Sequence, residues 1–373
     1  MDYYLLTDMA AQIGYELAAA GAETFRIEET MRRVLAAYGI ECEAFAIPNC
    51  VMVSLEADNG KPLMVMKRVG FHGNDLDAVE RLNALSRRIC AETPDPAVAA
   101  QWLEETRNDR RSYSVPVYYL GNLLAASGFC PVFGGTLRDS LWAGLMGLII
   151  GFVTRRMDKL ETIIGSLMIL VPGLLITNSM RDIIYGDTNS GVNRIVQVLL
   201  SALAIAMGTA AAWHITSSLY GQTAASTLSY PFWLQAIAIA VACTGFVILF
   251  NVHGWGRCLC ALGGVVTWMA YLLCGELGLG PYGANFIAAA VAAVYAEGMA
   301  RARKYPVTSY QVISAVPLLP GAGIYYTMSL GLNGSTQLAL QRGFATAGIA
   351  GSIAAAILLV SSVVRLFTAQ RKK

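Results

Sequence analysis

Charge is scarce in this chain. Asp, Glu, Lys and Arg make up 14% of its 373 residues against 55% hydrophobic, with a mean hydropathy of +0.51. That excludes a soluble enzyme of this size, because so little polar surface requires lipid around it. The eight cysteines lack paired CxxC spacing, and Cys130, Cys243 and Cys274 sit in apolar runs, so they read as small buried hydrophobes. Cys258-Leu-Cys260 beside His253 falls short of a zinc ligand set, and neither a metal nor a cofactor is expected. The start, MDYYLLTDMAAQIGYELAAAGAE, lacks the basic cluster and continuous apolar core of a signal peptide, which places the N-terminus in the cytoplasm. No nucleophile motif surrounds Cys50, Ser54 or His72.

The charge that exists is unevenly placed. Residues 1–112 carry 12 basic and 18 acidic side chains, and the remainder 15 and 7. A polar domain (1–112) therefore precedes a membrane domain, and neither balance suggests nucleic acid. In the first part, apolar residues at helical spacing predict helices over 4–20, 23–38, 75–91 and 97–107. Alternation predicts strands over 41–47, 50–56 and 63–69, the last two joined by Ala57-Asp58-Asn59-Gly60, a hairpin turn. The fold class is thus a small soluble α+β domain followed by a mainly α, polytopic helix bundle. The run TRNDRRS (106–112) marks the junction, and its three arginines suit an anionic inner leaflet.

Apolar segments follow at about 114–133, 136–153, 160–180, 191–214, 232–250, 256–276, 282–300, 308–328 and 336–364. Inside the third lies Pro172-Gly173, with Arg181, Asp182, Asp187 and Arg194 close behind. Proline removes a backbone donor and glycine weakens a helix, so the freed backbone groups need other partners in lipid. Broken helices of this kind line transport sites. Sliding the chain by 148 residues places Pro172-Gly173 on Pro320-Gly321, Ile176 on Ile324, Met180 on Met328, Gly186 on Gly334 and Arg194 on Arg342. Two related halves result, 113–228 and 229–373, each with a broken helix. Nine crossings put Arg301–Lys304 and Arg371–Lys373 outside, against the positive-inside rule. A tenth, hidden between Trp213 and Pro231, returns both clusters to the cytoplasm.

With these residues in place, the chain resembles the threonine/serine exporter family. The resemblance is carried by GAETFRIEETMRRVLAAYGI (Gly21 to Ile40), MKRV with NDLDAVERLNALSRRI, FGGTLRDS (Phe133 to Ser140), VPGLLITNSMRDIIYGDTNSGVNR and the later LLPG (Leu318 to Gly321). It implies a soluble N-terminal domain, about ten membrane helices, export of a small amino acid across the cytoplasmic membrane, and proton coupling. In some members the halves are separate proteins, and this chain looks like the fused form. Separate-chain relatives suited to a dicarboxylate such as succinate keep that substrate as an alternative. A membrane-anchored hydrolase and a channel are alternatives of other classes. Assembly into a homo-oligomer stays open.

An exporter of this kind must hold a carboxylate, an ammonium and a short polar side chain. A helix start opened by Pro172-Gly173 supplies N–H groups for the carboxylate. Thr177, Asn178 and Ser179 are placed to meet a hydroxyl, and Asp182 is the best acid for exchanging protons, with a structural pair to Arg181, Arg194 or Arg138 as the equal alternative. Arg181, Arg194, Pro320, Gly321 and Tyr325 complete the expected substrate site. Asp187, Glu161 and Asp139 are further proton-coupling candidates, while Glu161, Glu276 and Glu297 also fit interfacial or capping roles. His214 and His253, at helix ends, read as anchors or as pH gates. In the N-terminal motif, Gly21, Glu23, Thr24, Arg26 and Glu28 lie where a solvated ion-pair face, a contact to the membrane gate or a substrate-sensing site would each fit. Reporter fusions at Lys304 and Lys373 should both report the cytoplasm. Opposite sides, or both outside, would reject ten crossings.

Overall fold

The computed structural model describes residues 2–57, 60–70, 73–157, 172–220, 228–303 and 305–370. The chain divides into two compact units, Met1–Tyr113 with Phe250–His253, and Ser114–Leu249 with Gly254–Lys373.

The first unit is built from helices α1 (Tyr3–Ala19) and α2 (Thr24–Ala37), strands β1 (Cys42–Ile47), β2 (Cys50–Glu56) and β3 (Pro62–Arg68), and helices α3 (Leu76–Glu92) and α4 (Pro96–Asn108). These match the sequence expectations to within two residues. The strands form an antiparallel sheet in the order β1-β2-β3. Val53 sits opposite Ala44 and Val65, and Met52 opposite Phe45 and Met66. Because side chains alternate along a strand, Val51, Val53 and Leu55 turn inward onto Leu6, Ile13, Leu17, Met31 and Leu35, all buried. Truncating one of these leucines to alanine costs about 2–5 kcal/mol. Gly21 has φ +85°, and a Cβ there would lie 2.3 Å from the Gly73 carbonyl oxygen, so only glycine makes this turn.

Two polar features that the sequence does not announce hold the unit together. Glu16, 5% exposed, receives Arg107 Nε at 2.8 Å and an Arg110 guanidinium nitrogen at 3.1 Å. Two of the three junction arginines are therefore partners of a buried carboxylate. The second feature is Phe250–His253. The Leu76 N–H donates to the Phe250 carbonyl at 3.0 Å. Asn251 Nδ2 donates to Asp75 Oδ1 at 2.9 Å and to the Arg111 carbonyl at 2.7 Å. The Tyr113 hydroxyl donates to the Val252 carbonyl at 2.6 Å. His253 stacks on Tyr113 with ring centroids 4.4 Å apart and contacts Asn251 Oδ1 at 2.8 Å. Asn251 itself has φ +56°, which asparagine tolerates better than most residues. His253 is thus an anchor in a stacked pair.

The second unit contains α5 (Val115–Val132), α6 (Leu137–Met157), α7 (Pro172–Tyr185), α8 (Thr188–Tyr220), α9 (Phe232–Leu249), α10 (Gly256–Glu276), α11 (Pro281–Arg303), α12 (Val307–Ala315), a 3-10 turn at Val316–Leu318, α13 (Gly321–Leu332) and α14 (Thr336–Gln370). Among the described residues, seven helices are long and apolar enough to cross a membrane, and α12 with its turn and α13 forms an eighth, bent by 46°. The 158–171 portion of the first broken segment lies outside the described residues.

Helices α5 and α9 run antiparallel in close contact. A Cβ on Gly245 would lie 2.3 Å from Ala125 N, and one on Gly128 would lie 2.5 Å from Ala242 N, so glycine alone permits this approach, as at other small-residue membrane contacts. The start of α9 stays beside the end of α5: Leu228 N donates to the Gly134 carbonyl and the Tyr230 hydroxyl to the Gly135 carbonyl. Two antiparallel spanning helices require an even number of crossings between them. The nine-crossing reading places three there, which this pair does not fit; the tenth crossing expected between Trp213 and Pro231 falls partly inside α8, which runs unbroken to Tyr220, and residues 221–227 lie outside the described residues. Asn251→Ala in the full-length protein should lower stability by about 1–3 kcal/mol, read as a reduced melting temperature in detergent micelles. Thr244→Ala, on the exposed side of α9, should leave it unchanged.

Candidate functional site

The two Pro-Gly breaks meet. A Cβ on Gly173 would lie 2.8 Å from Gly321 N and 2.9 Å from Leu319 Cβ, so α7 and α13 begin side by side at a contact that only glycine permits. α7 packs against its own long partner α8 and against α14, and α13 packs against α14 and against α8. The repeat seen in the sequence is therefore an exchange of contacts between the two halves. Its apolar centre joins Leu175 and Ile176 of α7 with Val198 and Ala202 of α8 and Ile324 and Met328 of α13. Ile176 and Ile324, equivalent under the 148-residue shift, share this cluster. α13 starts at Pro320 with no side-chain cap, and uncapped first-turn N–H groups of a helix favour an anion.

The polar groups fall at two levels. One turn past the break, the Thr177 hydroxyl donates to the Gly173 carbonyl at 3.0 Å, which commits its proton to the backbone and leaves its oxygen as an acceptor. About 14 Å along α7 from Gly173, at 1.5 Å per residue, Asp182 Oδ2 meets Arg194 Nε of α8 at 2.8 Å. Asp182, Arg181 and Ser179 are all buried. The Ser179 hydroxyl donates to the Gly191 carbonyl at 2.7 Å, which ties α7 to α8 beside the ion pair. The turn between these helices closes with Asp187 N donating to the Asp182 carbonyl at 2.9 Å. Asp187 is half-buried at the start of α8, where a carboxylate complements the helix dipole.

This geometry sorts the expected residues. Gly173, Thr177 and Gly321 are together at the break, with Pro172 and Pro320 flanking it. Arg181, Asp182 and Arg194 lie further along, with Asp182 about 14 Å from Gly173 and about 7.5 Å from Thr177 at 1.5 Å per residue. Asn178 is half-buried and, among the described residues, makes no side-chain hydrogen bond, so of the three residues expected to meet a hydroxyl it keeps its polar group available. Tyr325 is half-buried and packs edge-on to Tyr326, with centroids 5.3 Å apart. Arg342, the repeat counterpart of Arg194, is exposed. Its would-be partner position is Leu330 where the first half has Asp182.

Other candidates take structural roles. Asp139 Oδ2 accepts from Thr136 N at 2.8 Å and from the Thr136 hydroxyl at 2.7 Å, while Asp139 N donates to the Thr136 hydroxyl oxygen at 3.2 Å. This reciprocal cap at the start of α6 gives Asp139 a capping role. Glu161, His72 and the 167–171 part of the first broken stretch lie outside the described residues, as does the side chain of His214. In the N-terminal motif, Glu28 accepts from the Ala46 N–H at 2.9 Å and pairs with Arg32 at 3.4 Å, so it binds helix α2 to strand β1. Thr24 is buried, Glu23 and Arg26 are half-buried, and Glu29 pairs with Arg33 at 2.6 Å on the surface.

Known proteins decide the family. A family model described as a threonine/serine exporter, ThrE, matches residues 8–163 and 160–216, and a second, described as Threonine/Serine exporter, ThrE, matches residues 235–363. The chain belongs to the threonine/serine exporter family. It is also similar to a threonine/serine exporter from Corynebacterium glutamicum, 22% identical over 402 aligned positions that cover 96% of this chain and 82% of that protein. No solved structure matches it. The protein is thus a multi-pass membrane protein of a family of amino-acid exporters.

Among the described residues of the first unit, which leave out His72, nothing resembles an activated nucleophile. Cys50 and Ser54 lie on one strand, four residues or about 13 Å apart. Burial pushes the Cys50 thiol up, as it does those of Cys42 and Cys90, the opposite of what a reactive thiolate needs. Removing one member of the α7–α8 ion pair isolates a buried charge. Arg194→Ala should cost about 3–5 kcal/mol in melting of the detergent-solubilised protein, and Arg194→Ala with Asp182→Asn should recover at least half of that. Equal melting of the single and double variants would show that the pair is not coupled.

Proposed function

We propose that this chain exports threonine or serine across the cytoplasmic membrane in exchange for protons. The observation that carries the proposal is the buried Asp182–Arg194 pair, set behind two helix starts that meet at Gly173 and Gly321. In this reading the substrate carboxylate lies at the paired breaks, where the first-turn N–H groups of α7 and α13 are close together, and Asn178 meets its hydroxyl. Asp182 is the proton carrier. While ionised it is held by Arg194. On protonation the pair loses its attraction, which releases α8 from α7 and loosens the wall of the site.

Burial gives this switch its leverage, because an ion pair in low dielectric is strongly coupled to the protonation of its acid. Asp187 lies half-buried at the α8 start, next to the route by which a proton would reach Asp182. The soluble unit is read as cytoplasmic, and the membrane segments as two halves, 113–228 and 229–373. The two helix starts side by side favour a second reading, since paired anion sites also suit a dicarboxylate such as succinate.

Cells expressing the protein and loaded with a threonine-containing dipeptide should clear threonine faster than control cells. A protonophore should abolish the difference. Asp182→Asn should reduce the export rate roughly tenfold or more, and Pro172→Ala should reduce it measurably. Equal threonine accumulation with and without the protein would overturn the amino-acid reading, and succinate export in the same assay would install the alternative. Unchanged export by Asp182→Asn would remove Asp182 from the mechanism.

A further inference from the structure

Away from the paired breaks, the second unit holds a cavity of about 580 Å3 where the start of α9, the end of α10 and the start of α11 come together. We propose that it is a binding site for a small ligand bearing an ammonium group.

The charge comes from Glu276, the last residue of α10. A carboxylate there lies against the carbonyl end of the helix, which carries partial negative charge, so helix and side chain repel each other and jointly attract a cation. No lysine or arginine lines the cavity, so no side chain of the wall supplies that cation. The apolar part comes from Tyr271, which stacks on Trp268 with ring centroids 5.0 Å apart and planes at 27°, and from Phe232. Aromatic faces beside a carboxylate are the pairing that receives ammonium groups in water.

The wall is held in advance of any ligand. Trp268 Nε1 donates to Gln235 Oε1 at 3.1 Å, and Gln235 Nε2 donates to the Tyr230 carbonyl at 2.9 Å. The Tyr230 hydroxyl in turn donates to the Gly135 carbonyl at 3.0 Å. Each member of this chain fixes the next, so Trp268, on which Tyr271 rests, cannot turn without breaking it. Gly275, in the wall beside Glu276, is exposed, and a Cβ there would meet nothing within 4 Å. A volume of this size takes a small molecule. An ammonium of this kind could come from a free amino acid or from an ethanolamine lipid headgroup, and the chemistry of recognition is shared by both.

The test uses the full-length protein in nanodiscs of phosphatidylglycerol, a lipid without an amine, with ethanolamine as the probe in isothermal titration calorimetry. Ethanolamine should bind saturably. Glu276→Gln should weaken it roughly tenfold, and Gly275→Leu, which fills the open space without a clash, should abolish it, with both variants melting as the wild type does. Tyr271→Leu gives a further check should either variant fold poorly. Displacement of the probe by threonine identifies the free amino acid as the ligand, and displacement by short-chain phosphatidylethanolamine identifies the headgroup. No saturable ethanolamine binding, or wild-type affinity in Glu276→Gln and Gly275→Leu, overturns the proposal. Binding is read directly, so the result does not depend on whether threonine is the exported solute.

Discussion

A carboxylate and a guanidinium share a buried position between α7 and α8, and the arrangement of the membrane unit follows from the need to keep them paired. In a setting this apolar, either charge alone would cost several kcal/mol. Asp182 can be buried only where Arg194 reaches it, which fixes the register of α7 on α8. The Ser179 bond to Gly191 holds that same register one turn away. Once α7 is fixed on α8, its start is also fixed, and the Gly173–Gly321 contact transmits that position to the second half. The ion pair, the break and the exchanged packing of α7, α8, α13 and α14 therefore form one mechanical chain.

The soluble unit was readable from sequence almost residue by residue, because its helices and strands each bury a single face and so carry periods of 3.6 and 2. What holds those elements together was not readable. Glu16 and its arginines are more than ninety residues apart, and nothing local in α1 marks a buried carboxylate. Asn251 and Asp75 are farther apart still. In the membrane unit the apolar runs gave helix positions but not their direction. Direction emerged from the glycine contacts of α5 with α9, which depend on which helices touch.

The candidate site was readable in outline through the internal repeat. Pro172-Gly173 and Pro320-Gly321 aligned with each other, and the structure places them in contact. The repeat also held the clue to their difference, since the position of Asp182 corresponds to Leu330 and, among the described residues, Arg194 of the two aligned arginines meets an acid. The bonds of the hydroxyls were not readable. A serine or threonine inside a helix commonly turns its oxygen to a backbone carbonyl, as Thr177 and Ser179 do, and its spacing from a proline does not reveal that.

The segment Phe250–His253 belongs by packing to a unit whose other residues are all at the front of the chain. A ribosome makes those front residues first and these four only after α9 has been synthesised. Asp75, Arg111 and Tyr113 must therefore wait for these partners until α9 has been made. The first unit to be begun is therefore finished only after α9 has been made, and its completion marks that point in the synthesis of the chain.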